Sequence, residues 1–357
     1  MRANRLSVAA IAALAVATSA FAADGLVPYG VISGEVGSYY DTTSDANVLG
    51  VASYASRFGL KGAVDVGGVT AVYQLEAGFN GVNDPVAGIG ADNPAGTVST
   101  GSSNGGLASR NTFVGVAGGF GTFVIGNHDT PYKIVARGAG AISSADTVAE
   151  LHLNVDRRLE GAIAYIAPAD ALGGITLAAA VVPVKDSNRS AENDGLHISV
   201  GVLAPIGDTG LTIGAGYESA YAPAYDDTVD SFFAAVNFKQ DLFSVGAAFE
   251  STTVNPVDDA GYTTILVPVS FTLDDGLYIN AAFKLTSFDE AGAVVGGIVL
   301  QSATFDDPDG SATEISAAIG KKWGKNLDVY AGLKSFSTDK SDISGLDIGV
   351  GLKVAFN

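Results

Sequence analysis

The 357-residue sequence has no cysteine, one Met, one Trp and three His. Without cysteine there is no thiol nucleophile, no disulfide and no Cys-rich zinc site. Basic residues are scarce too: 19 Lys and Arg stand against 38 Asp and Glu, a formal net charge of −19. A surplus of that sign argues against a nucleic-acid partner. Beyond the first 22 residues, no stretch reaches the roughly 18 consecutive apolar residues of a membrane-crossing helix. Helical periodicity, heptads and linker-like composition are missing as well. Catalytic constellations are equally absent. Gly101-Ser102-Ser103-Asn104-Gly105 has the spacing of a nucleophile elbow but lies in a Gly/Ser/Asn run, where a flexible loop is the better reading. His128, His152 and His197 are scattered, with no acid at metal-ligand spacing. Neither an enzyme nor a cofactor is expected.

What is present is glycine (46), aromatic residues (17 Phe and 13 Tyr) and 47% hydrophobic residues. Arg2 and Arg5, the apolar Leu6 to Ala17 and the small-residue site Ala20-Phe21-Ala22 read as a cleaved secretory leader over 1–22. The remaining 335 residues, 23–357, read as one domain with 17 basic and 38 acidic residues, a charge of −21. Mean hydropathy is +0.30, high for an exported chain. High hydropathy without helix-length runs leaves one membrane solution, a closed β-barrel, in which every backbone group is paired.

The dominant period is 2. In Leu277 to Thr286 the odd positions are apolar and the even ones mostly polar, and Ile348, Val350, Leu352, Val354 and Phe356 repeat the stripe. Such alternation is expected where one face meets lipid and the other a wet lumen, and the small inward residues predict an open interior. About sixteen such segments run from 27–40 to 344–356. Long connections, among them 41–54 and 129–159, alternate with tight turns such as Asp65-Val66-Gly67 and Gly324-Lys325. The expected fold is all-β, a transmembrane antiparallel barrel with short periplasmic turns and long extracellular loops.

A lipid-facing Arg at mid-depth costs about 2–4 kcal/mol, so Arg57 and Lys61, opposite in parity to Phe58 and Leu60, should face the lumen, beside acids such as Glu76. Trp323 and Phe356, at strand ends, suit an aromatic belt. Asp307 and Asp309 resemble half of a calcium loop, but Phe305 stands at the first ligand position, so a solvated turn is the better reading and a weak metal site the lesser one.

Tyr29 to Ile32, Ser56 to Gly62, Arg110 to Val116, Gly119 to Thr122, Asp129 to Tyr132 and Val350 to Phe356 resemble the general-diffusion porins of Gram-negative outer membranes. The resemblance implies a homotrimer of sixteen-stranded barrels in the outer membrane, contacting its lipids and lipopolysaccharide. The barrel-assembly machinery would recognise the last strand, although Asn357 follows Phe356. Arg57, Arg110 and Arg158 match basic positions of the family, whereas Asn127 and Ala164 replace two others. The third long loop, His128 to Arg158, would fold into the pore and set Asp129, Asp146, Glu150 and Asp156 against the basic wall. The function implied is passive diffusion of ions and small hydrophilic solutes, with modest cation selectivity. A substrate-specific channel of the same fold, and more remotely a surface adhesin, are the alternatives.

Overall fold

The computed structural model describes residues 25–356, apart from 42–44, 80–106, 156, 185–194, 223–226, 256–260, 290–293, 296–297, 300–309 and 340–342. The leader, Asp156, Asp307 and Asp309 lie outside the described residues. Eighteen extended segments form one antiparallel sheet, and two pairs of them are halves of one interrupted strand, which leaves sixteen. In chain order these are β1 (Gly25–Asp41), β2 (Ala46–Ala52 with Arg57–Asp65), β3 (Thr70–Phe79) and β4 (Leu107–Ser109 with Thr112–Gly118). β5 (Gly121–Asp129) leads through the helix α1 (Pro131–Gly138) to β6 (Arg158–Ile166). Then come β7 (Thr176–Val184), β8 (Gly195–Ile206), β9 (Leu211–Ala222), β10 (Asp227–Gln240), β11 (Phe243–Val254) and β12 (Gly261–Thr272). The last four are β13 (Leu277–Phe288), β14 (Ser311–Trp323), β15 (Leu327–Thr338) and β16 (Ser344–Phe356).

Each strand pairs with its sequence neighbours, and β16 returns to β1 from Gly30↔Phe356 to Ser38↔Ile348. Closure leaves no sheet edge, as hydrocarbon requires. Phe271, Ile279, Phe283, Val329, Val350 and Leu352 all point outward, between 38% and 59% exposed. Trp323 and Phe356 end their strands on the exterior. On the short-turn side, Asp65 accepts the Gly67 N–H at 2.8 Å, and Gly67 takes φ +82°, a left-handed turn conformation that glycine adopts without strain.

Two features differ from the sequence expectation. The connection 41–54 is mostly strand: Ala46–Ala52 pairs with β1, with Leu49 and Val51 exposed outward. This short run, Asn47 and Gly50 among its apolar residues, is too brief to display its period. The break that follows is bridged by side chains. Ser33 N–H donates to Ser56 Oγ at 3.0 Å, and Ser53 Oγ donates to the Ser33 carbonyl at 3.1 Å.

The second difference is the interior, which is not uniformly open. The described residues from Thr130 to Val155 run inside the barrel and cover the inner wall from β8 to β15. Tyr132, Val135, Ala139, Leu151 and Leu153 form one buried cluster with Leu203, Phe233, Leu266 and Ala282 of the wall. The inward glycines of β8 and β9 make room for this segment. A Cβ at Gly214 would come within 2.6 Å of Ala139 Cβ, and one at Gly201 within 2.7 Å of Val135. Lys284, inward on β13, is 2% exposed and bonded to Glu314 at 3.1 Å, so it is sealed from the lumen.

Cysteine substitutions at Ile279, Phe283, Val350 and Leu352 should resist a water-soluble thiol reagent in the membrane-inserted protein. Asn280→Cys should react, and Lys284→Cys should react slowly because the inner segment covers it. Equal labelling of the inward and outward sets would contradict this register.

Candidate functional site

The inward segment begins where Thr130 caps α1, its hydroxyl accepting the Lys133 N–H at 3.1 Å, with Pro131 in the first turn. Tyr132, Val135 and Ala136 of α1 face the wall and are buried, while Arg137, in the last turn, keeps 32% of its side chain exposed. Ile142–Ser143 then pairs with Leu151–His152 as a short hairpin. Its tip reaches across to β1, β14 and β15, where Val148 and Ala149 pack with Tyr39, Tyr54 and Ala318.

A polypeptide inside a barrel needs partners for its backbone, because each buried unpaired N–H costs about 1–3 kcal/mol. Wall carboxylates supply them. At the tip, the Val148 N–H donates to Glu35 Oε2 at 3.1 Å. On the return limb, the N–H groups of Asn154 and Val155 donate to the two oxygens of Glu250 at 3.0 and 3.2 Å, and Tyr132 Oη donates to Glu250 Oε2 at 2.9 Å. Burial and the adjacent Glu250 charge push the Tyr132 phenol well above its ordinary pKa, so it remains a donor. At the exit, Arg157 lies 3.6 Å from Glu218, which also faces His197 at 3.3 Å. Glu35, Glu218 and Glu250 are each 1% exposed or less. From the basic side, Lys353 Nζ donates to the Ala145 carbonyl at 2.9 Å.

Two charged clusters occupy the inner wall of β1–β6. In the first, β3 carries Glu76 between Arg57 of β2 and Arg110 beside the break in β4. Arg110 Nε donates to Glu76 Oε1 at 2.9 Å, Tyr29 Oη donates to Oε2 at 2.9 Å, and Arg57 Nε stands 3.7 Å from Oε2. The strand interruptions place these side chains. Phe79 N–H bonds to the Ser56 carbonyl and Arg110 N–H to the Glu76 carbonyl, both at 3.0 Å, so both breaks fall at one height. Lys61 lies 5.0 Å over the Tyr29 ring, a cation–π contact. In the second cluster, at the neck of the inward segment, Asp129 holds Arg158 at 3.1 Å and Lys133 at 3.2 Å, and Asn111 bridges Arg158 and Asp129.

The sequence-predicted acids are therefore dispersed. Asp129 sits beside Arg158, in register with it across β5 and β6, and does not face it across the lumen. Glu150 stands 3.6 Å from Arg137 of the same segment, and Asp146 lies at the tip in a left-handed conformation, φ +60°. Arg57, Lys61 and Arg110 are brought together around Glu76 and Tyr29. Sequence reasoning passed over Arg137, Lys133, Glu35, Glu218 and Glu250. The cost argument that turned Arg57 inward applies equally to the three wall glutamates and could have placed them in the lumen. Among the described residues no group of three or more His, Asp and Glu is placed to hold a metal ion.

The chain matches the family model of Gram-negative porins over residues 8–341. No match is found among curated proteins. Similar solved structures include the anion-selective porin from Comamonas acidovorans, with TM-score 0.66 and 15% identity, covering 93% of this chain and 99% of that one. OmpF of Salmonella typhi, in a complex with daunomycin, gives TM-score 0.66 and 16% identity over 93% and 97% of the two chains. The outer-membrane channel DcaP of Acinetobacter baumannii gives 0.65 and 12% over 93% and 97%.

Replacing Glu250 by Ala removes acceptors from Asn154, Val155 and Tyr132 together. The inward segment should loosen while the barrel persists, seen as faster proteolysis within 140–155 and noisier single-channel currents. Thermal unfolding of the barrel should shift little. A variant as quiet and as resistant as the parent would show that Glu250 does not hold the segment.

Proposed function

The chain belongs to the Gram-negative porin family, and on that premise we propose a homotrimeric outer-membrane porin through which ions and small hydrophilic solutes diffuse. Residues 1–22 are its export leader in this reading, its exterior meets outer-membrane lipid and lipopolysaccharide, and β16 is the strand that the assembly machinery recognises. It is a passage, not a catalyst. One observation carries the reading of the constriction. The inward segment lies along β8–β15, and the passage it leaves runs beside the opposite wall, where Arg57 and Arg110 flank Glu76. Their side chains keep 24% and 13% exposure, open enough to meet a passing solute. Arg57, Lys61, Arg110 and Arg158 are the proposed basic lining. On the loop side, Glu150 and Asp146 accompany Arg137 and Asp129 stands at the neck, and Asp156 completes the proposed acidic set.

Charges in a narrow pore select ions by their local field. Arg57 and Arg110 share the carboxylate of Glu76, and Lys61 stands over the adjacent Tyr29 ring, so the near field at that wall favours anions. The far field has the opposite sign, because the whole chain carries −19. Exposed charges at the mouths act over about 8–10 Å at physiological salt and much farther when salt is dilute. We therefore read the channel as modestly cation-selective in dilute salt.

Two measurements in planar bilayers test this. Deleting part of 138–150 from the folded protein should raise single-channel conductance, since that length fills the lumen; an unchanged or smaller conductance would refute the constriction. Reversal potentials across a KCl gradient should show cation preference in dilute salt that weakens as salt rises. Anion preference in dilute salt would mean that the wall arginines outweigh the mouths, which is the selectivity named for the porin from Comamonas acidovorans.

A further inference from the structure

We propose that the exterior of β6–β10 carries a binding site for one hydrocarbon chain of a membrane lipid. The site is a groove of about 400 Å³ on the face that the porin reading turns toward the bilayer, and it depends on that reading only for this orientation. Its volume falls within the range of about 300–1,000 Å³ typical of small-molecule sites. The sequence creates it by size alternation among outward positions. Ala179 of β7 and Ala215 of β9 form the low floor, while Tyr165 and Leu177 wall one side and Tyr217 and Phe232 the other. On β12 and β13 most exterior positions are bulky, as at Phe271, Ile279 and Phe283, with Ala281 a small residue among them.

The occupant follows from depth and polarity. The lining is almost wholly apolar, so neither an ion nor a sugar finds partners there. Polar anchors bracket the groove. At the short-turn end, Tyr165 Oη donates to the Phe120 carbonyl at 2.7 Å. Toward the loop end, Tyr217 Oη donates to Asp230 at 3.0 Å, and Asn255 donates to the same carboxylate at 2.7 Å. Such groups on an outward face mark the levels where polar headgroups and water begin, so the groove between them lies at hydrocarbon depth. A void there would forfeit the dispersion contacts of its lining, and the surrounding medium offers only acyl chains to restore them. Because the chain leaves one apolar medium for another, the gain comes from packing alone and the site favours occupancy without locking it.

The test uses full-length protein in phosphatidylcholine vesicles with a trace of phosphatidylcholine bearing a diazirine on one acyl chain. After photolysis, label on the 165–179 and 200–217 peptides should exceed that on the equally exposed 265–283 peptides at least about threefold, as preferential packing implies. Ala215→Leu, which fills the floor, should reduce this to the level of the control face. Ala281→Leu, outward on β13, should leave the pattern unchanged. Equal labelling around the barrel, or label insensitive to Ala215→Leu, would overturn the proposal while leaving the channel intact. A groove shielded from lipid while other faces are labelled would also overturn it, and would point to a second copy of the chain there. Label absent from every outward strand would instead refute the membrane barrel itself.

Discussion

A carboxylate as thoroughly enclosed as Glu250 persists only if its oxygens are met by donors, and here they meet the backbone of a segment that has no sheet of its own to join. That exchange is the interaction on which the lumen depends. The wall obtains partners for a buried charge, and the segment obtains acceptors for N–H groups that would otherwise be orphaned inside the barrel. Glu35 repeats the arrangement at the tip, whereas at the exit Glu218 faces the side chain of Arg157 at 3.6 Å as an ion pair. Apolar packing then adds about 1.5–3 kcal/mol for each large side chain fully removed from water. Tyr132, Leu151 and Leu153 supply it against Phe233 and Leu266.

Once the segment is held on β8–β15, the character of the remaining passage follows. The walls behind it are dry and their charges are matched, as in Lys284 with Glu314, so they contribute little to what a solute meets. The wall of β1–β6 keeps partly exposed charges, Arg57 at 24% and Arg110 at 13% of their side chains. There, the two strands that flank β3 are interrupted at one height, and the interruptions bring Arg57 and Arg110 to a shared glutamate. A continuous ladder would have kept β4 paired along its whole length, without the break beside which Arg110 reaches Glu76. The local loss of ladder bonds is compensated by serine hydroxyls and by the side chain of Asn111.

The legible part of this architecture was the part that repeats. Alternation in Leu277 to Thr286 and in β16 fixed which residues face outward, because a slip of one residue would reverse both faces. The cost of a cation in hydrocarbon turned Arg57 and Lys61 inward without reference to any partner. The upper half of β2 escaped notice because its short run, interrupted by Gly50, shows no clear stripe. The wall glutamates could have been placed in the lumen by parity, but their purpose could not. Glu250 lies 95 to 118 residues from the donors it receives, and no local pattern in the sequence records such a pairing.

The sequence by itself therefore determined a closed barrel of about sixteen strands, its lipid-facing stripe and a set of inward charges, since each follows from a period of two and a local transfer cost. Only the tertiary structure decided which half of the lumen is filled, which charges are neutralised beneath the filling, and which arginines remain to face the passage. Those outcomes depend on where one segment docks. Docking is settled by a few long-range hydrogen bonds and by the space left at inward glycines such as Gly201 and Gly214, and neither leaves a period in the chain.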